Sequence, residues 1–258
     1  RFPTSKDLTG SDAIHTDPDY SATYVTVTTS DNKLKGYGLA FTLGKGNDIV
    51  AECIKHFFPI FNGLTIDEVE KNIGKLWYDC ADHSQLRWLG PEKGVVHMAL
   101  AAVFNALWDL IAKKNQKPLW QFVTESKPET IMSWLTFKNI EDVLTENDAF
   151  QILNASQEFK KERTDRILAE GYPSYTTAAG WLGYSDEKIV ALLEEYMSKG
   201  WKHFKIKVGT DLEADVKRLQ LIRNTVGSEV SLMVDANQQW DVQQSIKHIN
   251  AYKKFNLL

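Results

Sequence analysis

The sequence has few of the residues that mark disulfide-rich, metal-binding or nucleic-acid-binding proteins. It contains only two cysteines, Cys53 and Cys80, and six histidines that show no clustered pattern. The cysteine spacing matches no disulfide or metal framework, so we expect a reducing compartment, the cytoplasm or, in a eukaryote, the mitochondrion. The formal net charge of −4 argues against a broad surface for nucleic acid or anionic membrane, and we predict no nucleic-acid partner.

Long apolar runs are also scarce. The longest candidate, residues 95–112, is interrupted by His97, Asn105 and Asp109, so we expect no membrane span and no membrane partner. Two glycine pairs, at positions 36 and 38 and at positions 44 and 46, lack the spacing and context of a dinucleotide-binding fingerprint. We interpret both pairs as turns.

What is present in the first half is an α+β pattern. Residues 22–29 alternate in the manner of a strand, with Tyr24, Thr26 and Thr28 on one face, and residues 34–41 form a returning strand. Helices are predicted at residues 49–61, 65–79 and 93–114. The second of these begins with the capping box formed by Thr65 and Glu68.

The second half alternates between strands and helices. Residues 131–137 are a strand candidate, and residues 141–170 form a polar, mostly helical insertion. Strands are then predicted at 175–181, 204–208 and 232–235, with helices at 186–199, 212–224 and 242–254. Repeated βα units imply a parallel sheet. A closed barrel needs about eight units and only about three are predicted, so we expect a truncated barrel and a chain that is a portion of a longer protein.

The most informative polar residues lie at two predicted strand ends. Lys205 and Lys207 are two residues apart and therefore share a face, and Asp235 and Asn237 end the next strand. The carboxyl ends of such strands are where α/β proteins place their chemistry. Repulsion between the two ammonium groups, together with burial, lowers a lysine pKa and suits a general base. A solvated strand face and a helix cap are the alternative interpretations.

These strand ends, after an α+β segment, resemble the enolase superfamily, in its mandelate-racemase-like branch. The similarity is greatest to the L-fuconate dehydratases and extends over nearly the whole chain. The segments that carry it are RFPTS (1–5), GSDA (10–13), HTDPDYS (15–21), FTLGKG (41–46), LRWLGPEKG (86–94) and GYPSYTT (171–177).

The resemblance implies an α+β capping domain over residues 1–130, followed by the first units of a modified TIM barrel over residues 131–258. It implies Mg²⁺ as the cofactor, with Asp235 as the first metal ligand. Lys207 would be the acid/base at the α-carbon of the substrate. Lys205 and Asn237 would contact the substrate.

The resemblance also assigns a loop in the capping domain to substrate binding. Gly10, Ser11, Asp12 and Tyr20 correspond to a mobile loop that closes over a sugar acid and sets specificity. Many hydrogen-bonding groups in such a loop would suit a polyol substrate.

The implied reaction is Mg²⁺-dependent dehydration of L-fuconate to 2-keto-3-deoxy-L-fuconate, by a homo-oligomer when the protein is full length. Removing a proton α to a carboxylate places a second negative charge on that group, so a divalent cation and flanking ammonium groups are needed. The two remaining acidic metal ligands and a His–Asp pair would lie beyond residue 258. We therefore expect this chain alone to bind Mg²⁺ weakly and to turn nothing over.

Three other functions stay open at this point. One is a racemisation or a different acid-sugar dehydration within the same superfamily. Another is a non-catalytic, shortened binding or interaction protein. The third is a Schiff-base aldolase that uses Lys205 or Lys207.

Overall fold

The structure is a computed structural model that describes residues 2–90 and 94–258, and these form two compact units. We call Ser21–Glu170 the hairpin unit, and Arg1–Tyr20 together with Gly171–Leu258 the βα unit. The elements of the hairpin unit are β1 (Ser21–Thr28), β2 (Lys35–Thr42), α1 (Asn47–Phe57), α2 (Ile66–Ala81), α3 (Val95–Lys114), α4 (Leu119–Glu125), α5 (Pro128–Met132), α6 (Glu146–Ala155) and α7 (Lys160–Glu170). Those of the βα unit are α8 (Asp186–Ser198), β3 (His203–Lys207), α9 (Leu212–Val226), β4 (Ser231–Asp235) and α10 (Val242–Tyr252).

The hairpin unit begins with an antiparallel pair of strands. β1 and β2 pair from Ser21 opposite Thr42 to Thr28 opposite Lys35. The predicted alternation is confirmed, because Val25 is buried while Tyr24 on the other face is 69% exposed. The inner face of the pair packs on α3.

The interpretation of Gly36 and Gly38 as a turn is wrong, because both residues lie within β2. A Cβ atom on Gly36 would lie 1.9 Å from the carbonyl oxygen of Ala106, and one on Gly38 would lie 2.0 Å from that of Ala102. The absence of side chains at these two positions lets the strand approach the α3 backbone closely. Gly44 and Gly46 have φ values of 120° and 85°, as the turn interpretation requires.

Helix α3 is the centre of the hairpin unit. By length and composition it is the one helix in the described part of the chain that could cross a membrane, which corrects the expectation from the sequence. Most of its apolar surface is buried against β1, β2, α1 and α2, as in the core helix of a globular unit. Its predicted start at Lys93 lies outside the described residues.

Two other predictions for the hairpin unit have opposite outcomes. The capping box of α2 is confirmed, since Thr65 accepts a hydrogen bond from the Glu68 amide and the Glu68 side chain accepts from the Thr65 amide. The strand predicted at 131–137 is wrong, because Pro128 begins the short helix α5 and a turn follows it. The indole of Trp134 then packs edge-on against that of Trp108, so the apolar residues here serve a turn that packs on α3.

The βα unit contains the predicted parallel arrangement. β3 and β4 pair in parallel and α9 connects them, so the βαβ prediction is confirmed for these elements. The strand predicted at 175–181 is wrong. Thr176 forms a single parallel bridge to Phe204, and the chain then turns, with the Gly180 amide donating to the Thr177 carbonyl.

The compact units divide the chain differently from a boundary at residue 130. Residues 2–20 pack with residues 171–258, and residues 131–170 pack with the rest of the hairpin unit. Within the βα unit, the amide of Leu182 donates to the carbonyl of Ser11 at 3.2 Å, and the side chain of Gln239 donates to the carbonyl of Ala13 at 2.9 Å. The early segment therefore belongs to the unit that carries the lysine pair.

Candidate active site

The parallel register places the predicted site residues side by side. Lys207 lies opposite Asp235 at the carboxyl ends of β3 and β4. The Nζ atoms of Lys207 and Lys205 lie 2.8 Å and 3.0 Å from the same carboxylate oxygen, Oδ2 of Asp235. The prediction that the two lysines share a face is confirmed by this common partner.

Asn237 joins the cluster after the chain has left the strand. Its φ of 49° lies in the left-handed region, and its amide donates to Oδ1 of Asp235 at 2.9 Å. This local turn brings the side-chain oxygen Oδ1 of Asn237 to 2.8 Å from Nζ of Lys207. Asn237 therefore reaches the site through a turn and not through continued strand alternation.

The charges in the cluster stabilise one another. Burial acts to raise the pKa of Asp235, but hydrogen bonds from Lys207, the Asn237 amide and Lys205 outweigh it and lower that pKa to about 2. Burial acts to lower the pKa of Lys205, yet hydrogen bonds with Asp235 and Tyr175 outweigh it and raise that pKa. The prediction of a lowered lysine pKa is therefore wrong for Lys205, because the neighbouring carboxylate offsets the repulsion between the ammonium groups.

Two aromatic residues complete the surroundings of the lysines. The Trp181 ring lies 5.7 Å from Nζ of Lys207, and the Tyr175 hydroxyl lies 3.4 Å from Nζ of Lys205. Lys207 is 7% exposed, so its ammonium group is held among the carboxylate, the amide and the indole. The sequence reasoning missed both aromatic residues as site components. The carboxyl end of the segment 175–181, treated in the same way as those of β3 and β4, points to Trp181. Tyr175 lies at the other end of the segment and has no such signal.

The predicted substrate loop belongs to the βα unit and packs against its residues 182–183. Ser11 and Asp12 are buried, at 2% and 7% exposed. The Ser11 hydroxyl accepts from the Gly183 amide at 2.9 Å, and Gly10, with a φ of 87°, packs so closely under Tyr20 that a Cβ atom would lie 2.3 Å from its hydroxyl oxygen. Glycine is required at position 10 for both reasons.

Asp12 uses its carboxylate within the loop. Its Oδ1 accepts hydrogen bonds from the amides of Ile14 (2.9 Å) and His15 (2.7 Å). Burial acts to raise its pKa, but these backbone hydrogen bonds outweigh it and the pKa is lowered. The loop is connected to the Asp235–Asn237 region through Gln239, which donates to the Ala13 carbonyl.

The cluster offers one carboxylate, that of Asp235, as a ligand for a divalent cation. Within residues 2–90 and 94–258, no group of three or more His, Cys, Asp or Glu side chains is arranged to hold a metal ion. Mg²⁺ prefers oxygen ligands in octahedral geometry, so Asp235 fits as one ligand but does not complete a site. The remaining ligands would have to be waters, substrate oxygens or carboxylates outside the described residues.

Comparison with known proteins identifies the family of the chain. Residues 11–123 match the family "Mandelate racemase / muconate lactonizing enzyme, N-terminal domain", and residues 188–258 match the family "Enolase C-terminal domain-like". The chain therefore belongs to the enolase superfamily, as the resemblance predicted.

Among individual proteins, the chain is 47% identical to bovine (Bos taurus) mitochondrial enolase superfamily member 1 over all of its length and 58% of the relative. The crystal structure of the human protein of that name superimposes with a TM-score of 0.95 at 45% identity, covering 100% of this chain and 59% of that one. An L-galactonate dehydratase from Hypocrea jecorina is 43% identical over 98% of this chain and 57% of the relative. The chain thus spans somewhat more than half the length of these relatives.

A more distant structure shows the same fold. A racemase from Streptomyces coelicolor A3(2), crystallised with bound magnesium, superimposes with a TM-score of 0.70 at 24% identity, covering 100% of this chain and 58% of that one.

Proposed function

We propose that this chain supplies the acid/base lysine and one metal ligand of a sugar-acid dehydratase that acts on L-fuconate. The observation that carries the proposal is the convergence of Lys205 and Lys207 on Asp235 at the carboxyl ends of two parallel strands. Two ammonium groups and a carboxylate beside one another are suited to handling the negative charge of an enediolate.

In the proposed reaction, neutral Lys207 takes the proton from the α-carbon of the sugar acid. The electrons of the broken C–H bond form the double bond between the α-carbon and the carboxyl carbon of an enediolate. The carboxylate then re-forms, the electrons move into a double bond between the α- and β-carbons, and the β-hydroxyl leaves with its bonding pair as water, protonated by an acid outside the named residues. The resulting enol takes a proton at its β-carbon, loses its hydroxyl proton to solvent and becomes a 2-keto-3-deoxy acid. Lys205, hydrogen-bonded to Tyr175, places a fixed positive charge beside the carboxylate of the substrate.

Magnesium is part of the proposal. When bound, it would polarise the substrate carboxylate and reduce the cost of the second negative charge. Asp235 would be one of its ligands and would then divide its carboxylate between the metal and the lysines. Asn237, whose side-chain oxygen Oδ1 accepts a hydrogen bond from Lys207, is proposed to contact the substrate.

The choice of L-fuconate rests on the similarity of the N-terminal segments to L-fuconate dehydratases. The Hypocrea jecorina relative is named for L-galactonate, so the two sugar acids are the pair to compare. Ser11, Asp12, Gly10 and Tyr20 are proposed to set this choice, because they lie in the loop that Gln239 connects to the Asp235–Asn237 region.

The experiment is an assay of the protein produced from its complete gene. L-Fuconate, L-galactonate and further sugar acids are supplied with Mg²⁺, and 2-keto acids are detected with semicarbazide. We expect the highest kcat/KM with L-fuconate, and background rates with the Lys207→Ala variant or with EDTA. If no sugar acid yields a 2-keto acid, the proposal is wrong, and if another one is preferred, only the choice of substrate is wrong.

The 258-residue chain is assayed alongside. It is expected to bind Mg²⁺ weakly in a calorimetric titration and to show no dehydration above its own Lys207→Ala variant, because one carboxylate does not complete a magnesium site. A dehydration rate well above that variant would contradict the expectation that further ligands are needed.

A further inference from the structure

The backbone that carries Lys207 is fixed by an unusual set of hydrogen bonds. Three consecutive amides at the end of β3 donate to three separate parts of the βα unit. The pairs are Lys207 N to Gly180 O (2.9 Å), Val208 N to Asp235 O (3.0 Å) and Gly209 N to Asp215 Oδ2 (2.9 Å). The second is expected of paired strands, whereas the other two lie outside the β3–β4 ladder.

The third hydrogen bond depends on a buried carboxylate. Asp215 lies on α9, is 1% exposed, and also accepts a hydrogen bond from the Tyr252 hydroxyl at 2.9 Å. Its partner Gly209 has a φ of 117°, in the region that favours glycine, at the point where the chain leaves β3. A buried carboxylate is costly unless its hydrogen bonds are satisfied, and here one of them holds the backbone two residues after Lys207.

The first hydrogen bond depends on a buried guanidinium group one turn further along α9. Arg218 donates through Nη2 to the carbonyl oxygens of Gly180 (3.0 Å) and Trp181 (2.6 Å), and through Nη1 to that of Leu182 (3.2 Å). The Gly180 oxygen is also the acceptor for the Lys207 amide. A single helix therefore holds both flanks of the Lys207 backbone.

We propose that Asp215 and Arg218 are positioning residues for Lys207. Asp215 acts through the Gly209 amide, and Arg218 acts through the Gly180 carbonyl. The inference rests on the proposed function, in which Lys207 takes the α-proton. Proton transfer requires hydrogen-bond reach between the base and the proton, and a displacement of about 1 Å lowers a rate by about 100-fold.

The first test measures backbone order without substrate. Amide hydrogen exchange is followed at residues 207–209 by NMR in wild type, Asp215→Ala and Asp215→Asn, with Ile222→Ala as the matched control. Ile222 is fully buried on the same helix, so its truncation destabilises the unit without removing either hydrogen bond. We expect exchange at Gly209 to be at least about tenfold faster in Asp215→Ala than in the control, and near the wild-type rate in Asp215→Asn, which keeps an acceptor oxygen.

The second test is kinetic and uses the protein produced from its complete gene. We expect Asp215→Ala to lower kcat about 10- to 100-fold with KM changed less than about threefold, and Asp215→Asn to restore kcat to within about threefold of wild type. Arg218→Lys keeps the charge but loses the planar fork, and we expect a fall in kcat in the same range. The control Ile222→Ala should keep its kcat at a temperature where it is folded.

The outcomes separate this inference from the proposed function. If wild type dehydrates sugar acids and Asp215→Ala keeps its kcat, or if Ile222→Ala loses as much, the positioning role is wrong while the function stands. An Asp215→Asn variant as impaired as Asp215→Ala also contradicts the role, because the acceptor oxygen would then not matter. If wild type forms no 2-keto acid from any sugar acid, the proposed function fails and the positioning role fails with it.

Discussion

The two units bury different kinds of side chain. The interior of the hairpin unit is an apolar helix, α3, on which two glycines let a strand pack closely. The βα unit has an apolar core as well, but it also buries Lys207, Asp215, Asp12 and most of Arg218. Burial lowers the pKa of the Arg218 guanidinium to about 10, despite the attraction of Asp215.

The difference separates packing that stabilises the fold from charged groups that lie around the candidate site. Apolar packing stabilises a fold without specifying any reaction, whereas buried ionic groups cost free energy unless they are paired. Lys207, Asp215 and Arg218 contact the strand ends or the loops beside them, whereas Asp12 accepts hydrogen bonds within its own loop. Substitutions in the hairpin unit should therefore mainly change stability, whereas in the βα unit substitutions at the charged groups around Lys207 should mainly change activity.

The largest expected effect is on activity in the βα unit. Lys207→Met should lower kcat at least about 1,000-fold, equivalent to about 4 kcal/mol of activation free energy, because the proposed base is lost. Stability should change little, because Asp235 keeps Lys205 as a partner. Dehydration kinetics and urea unfolding measure the two quantities. The control is Lys202→Met, an exposed lysine near the other end of β3, and an equal loss of kcat there would contradict the assignment.

The converse is expected in the hairpin unit. Gly36→Ala should destabilise the protein by about 2–3 kcal/mol, because the new methyl group meets the Ala106 carbonyl of α3. Leu39→Ala on the exposed face of the same strand should cost less than about 1 kcal/mol. Urea unfolding measures the stability of both variants. Equal losses of unfolding free energy would show that β2 leaves room for a methyl group against the backbone of α3. The kcat of folded Gly36→Ala protein should match wild type.

The pKa values of two buried carboxyl groups in the βα unit are shifted in opposite directions, so their effects on stability should depend on pH in opposite ways. The pKa of Asp12 is lowered, so its stabilising contribution is present above pH 3.8 and is lost as the pH falls below it. Burial raises the pKa of Asp215 more than its hydrogen bonds lower it, so its ionisation costs stability as the pH rises above 3.8.

The measurement compares Asp12→Asn and Asp215→Asn with wild type by urea unfolding from pH 3 to pH 7. As the pH rises, the destabilisation caused by Asp12→Asn should grow and that caused by Asp215→Asn should shrink. Parallel curves for the two variants would contradict the assigned environments.

The smallest effects on stability and activity are expected at a feature that both units have, a helix N-cap formed by a hydroxyl side chain. Thr65 caps α2 in the hairpin unit, and Ser185 caps α8 in the βα unit by accepting from the Lys188 amide. Substitution of either by alanine should cost about 1 kcal/mol and leave kcat within about twofold of wild type. A large loss of activity from Ser185→Ala would show that even local helix ends in the βα unit affect the site.

The parts of the site that depend on strand periodicity could be predicted from the sequence. The facing of Lys205 and Lys207 follows from their spacing of two, and their approach to Asp235 follows from consecutive parallel strands. The roles of these residues in substrate and metal binding stay predictions. So do the roles of Asn237 and of the loop containing Gly10, Ser11, Asp12 and Tyr20.

Most of the features that were missed depend on how segments pack in the fold. Asp215 and Arg218 look like ordinary charged residues on a helix. Asp215 reaches back six residues to the Gly209 amide, whereas the packing of α9 brings Arg218 to Gly180. The strand predicted at 131–137 failed for a related reason, since its apolar residues pack on α3 from a turn. The raised pKa of Lys205 likewise required knowing how close Asp235 lies.

The order of elements around α3 has a consequence for protein synthesis. The elements that cover most of it, β1, β2, α1 and α2, all precede it in the chain. Because a chain emerges from the ribosome N-terminus first, the surfaces that receive this apolar helix are already outside when it appears. Helix α3 is apolar enough to resemble a membrane anchor, and its packing partners are available as soon as it appears. We expect this order to shorten the time during which α3 is exposed and able to insert into a membrane or to aggregate.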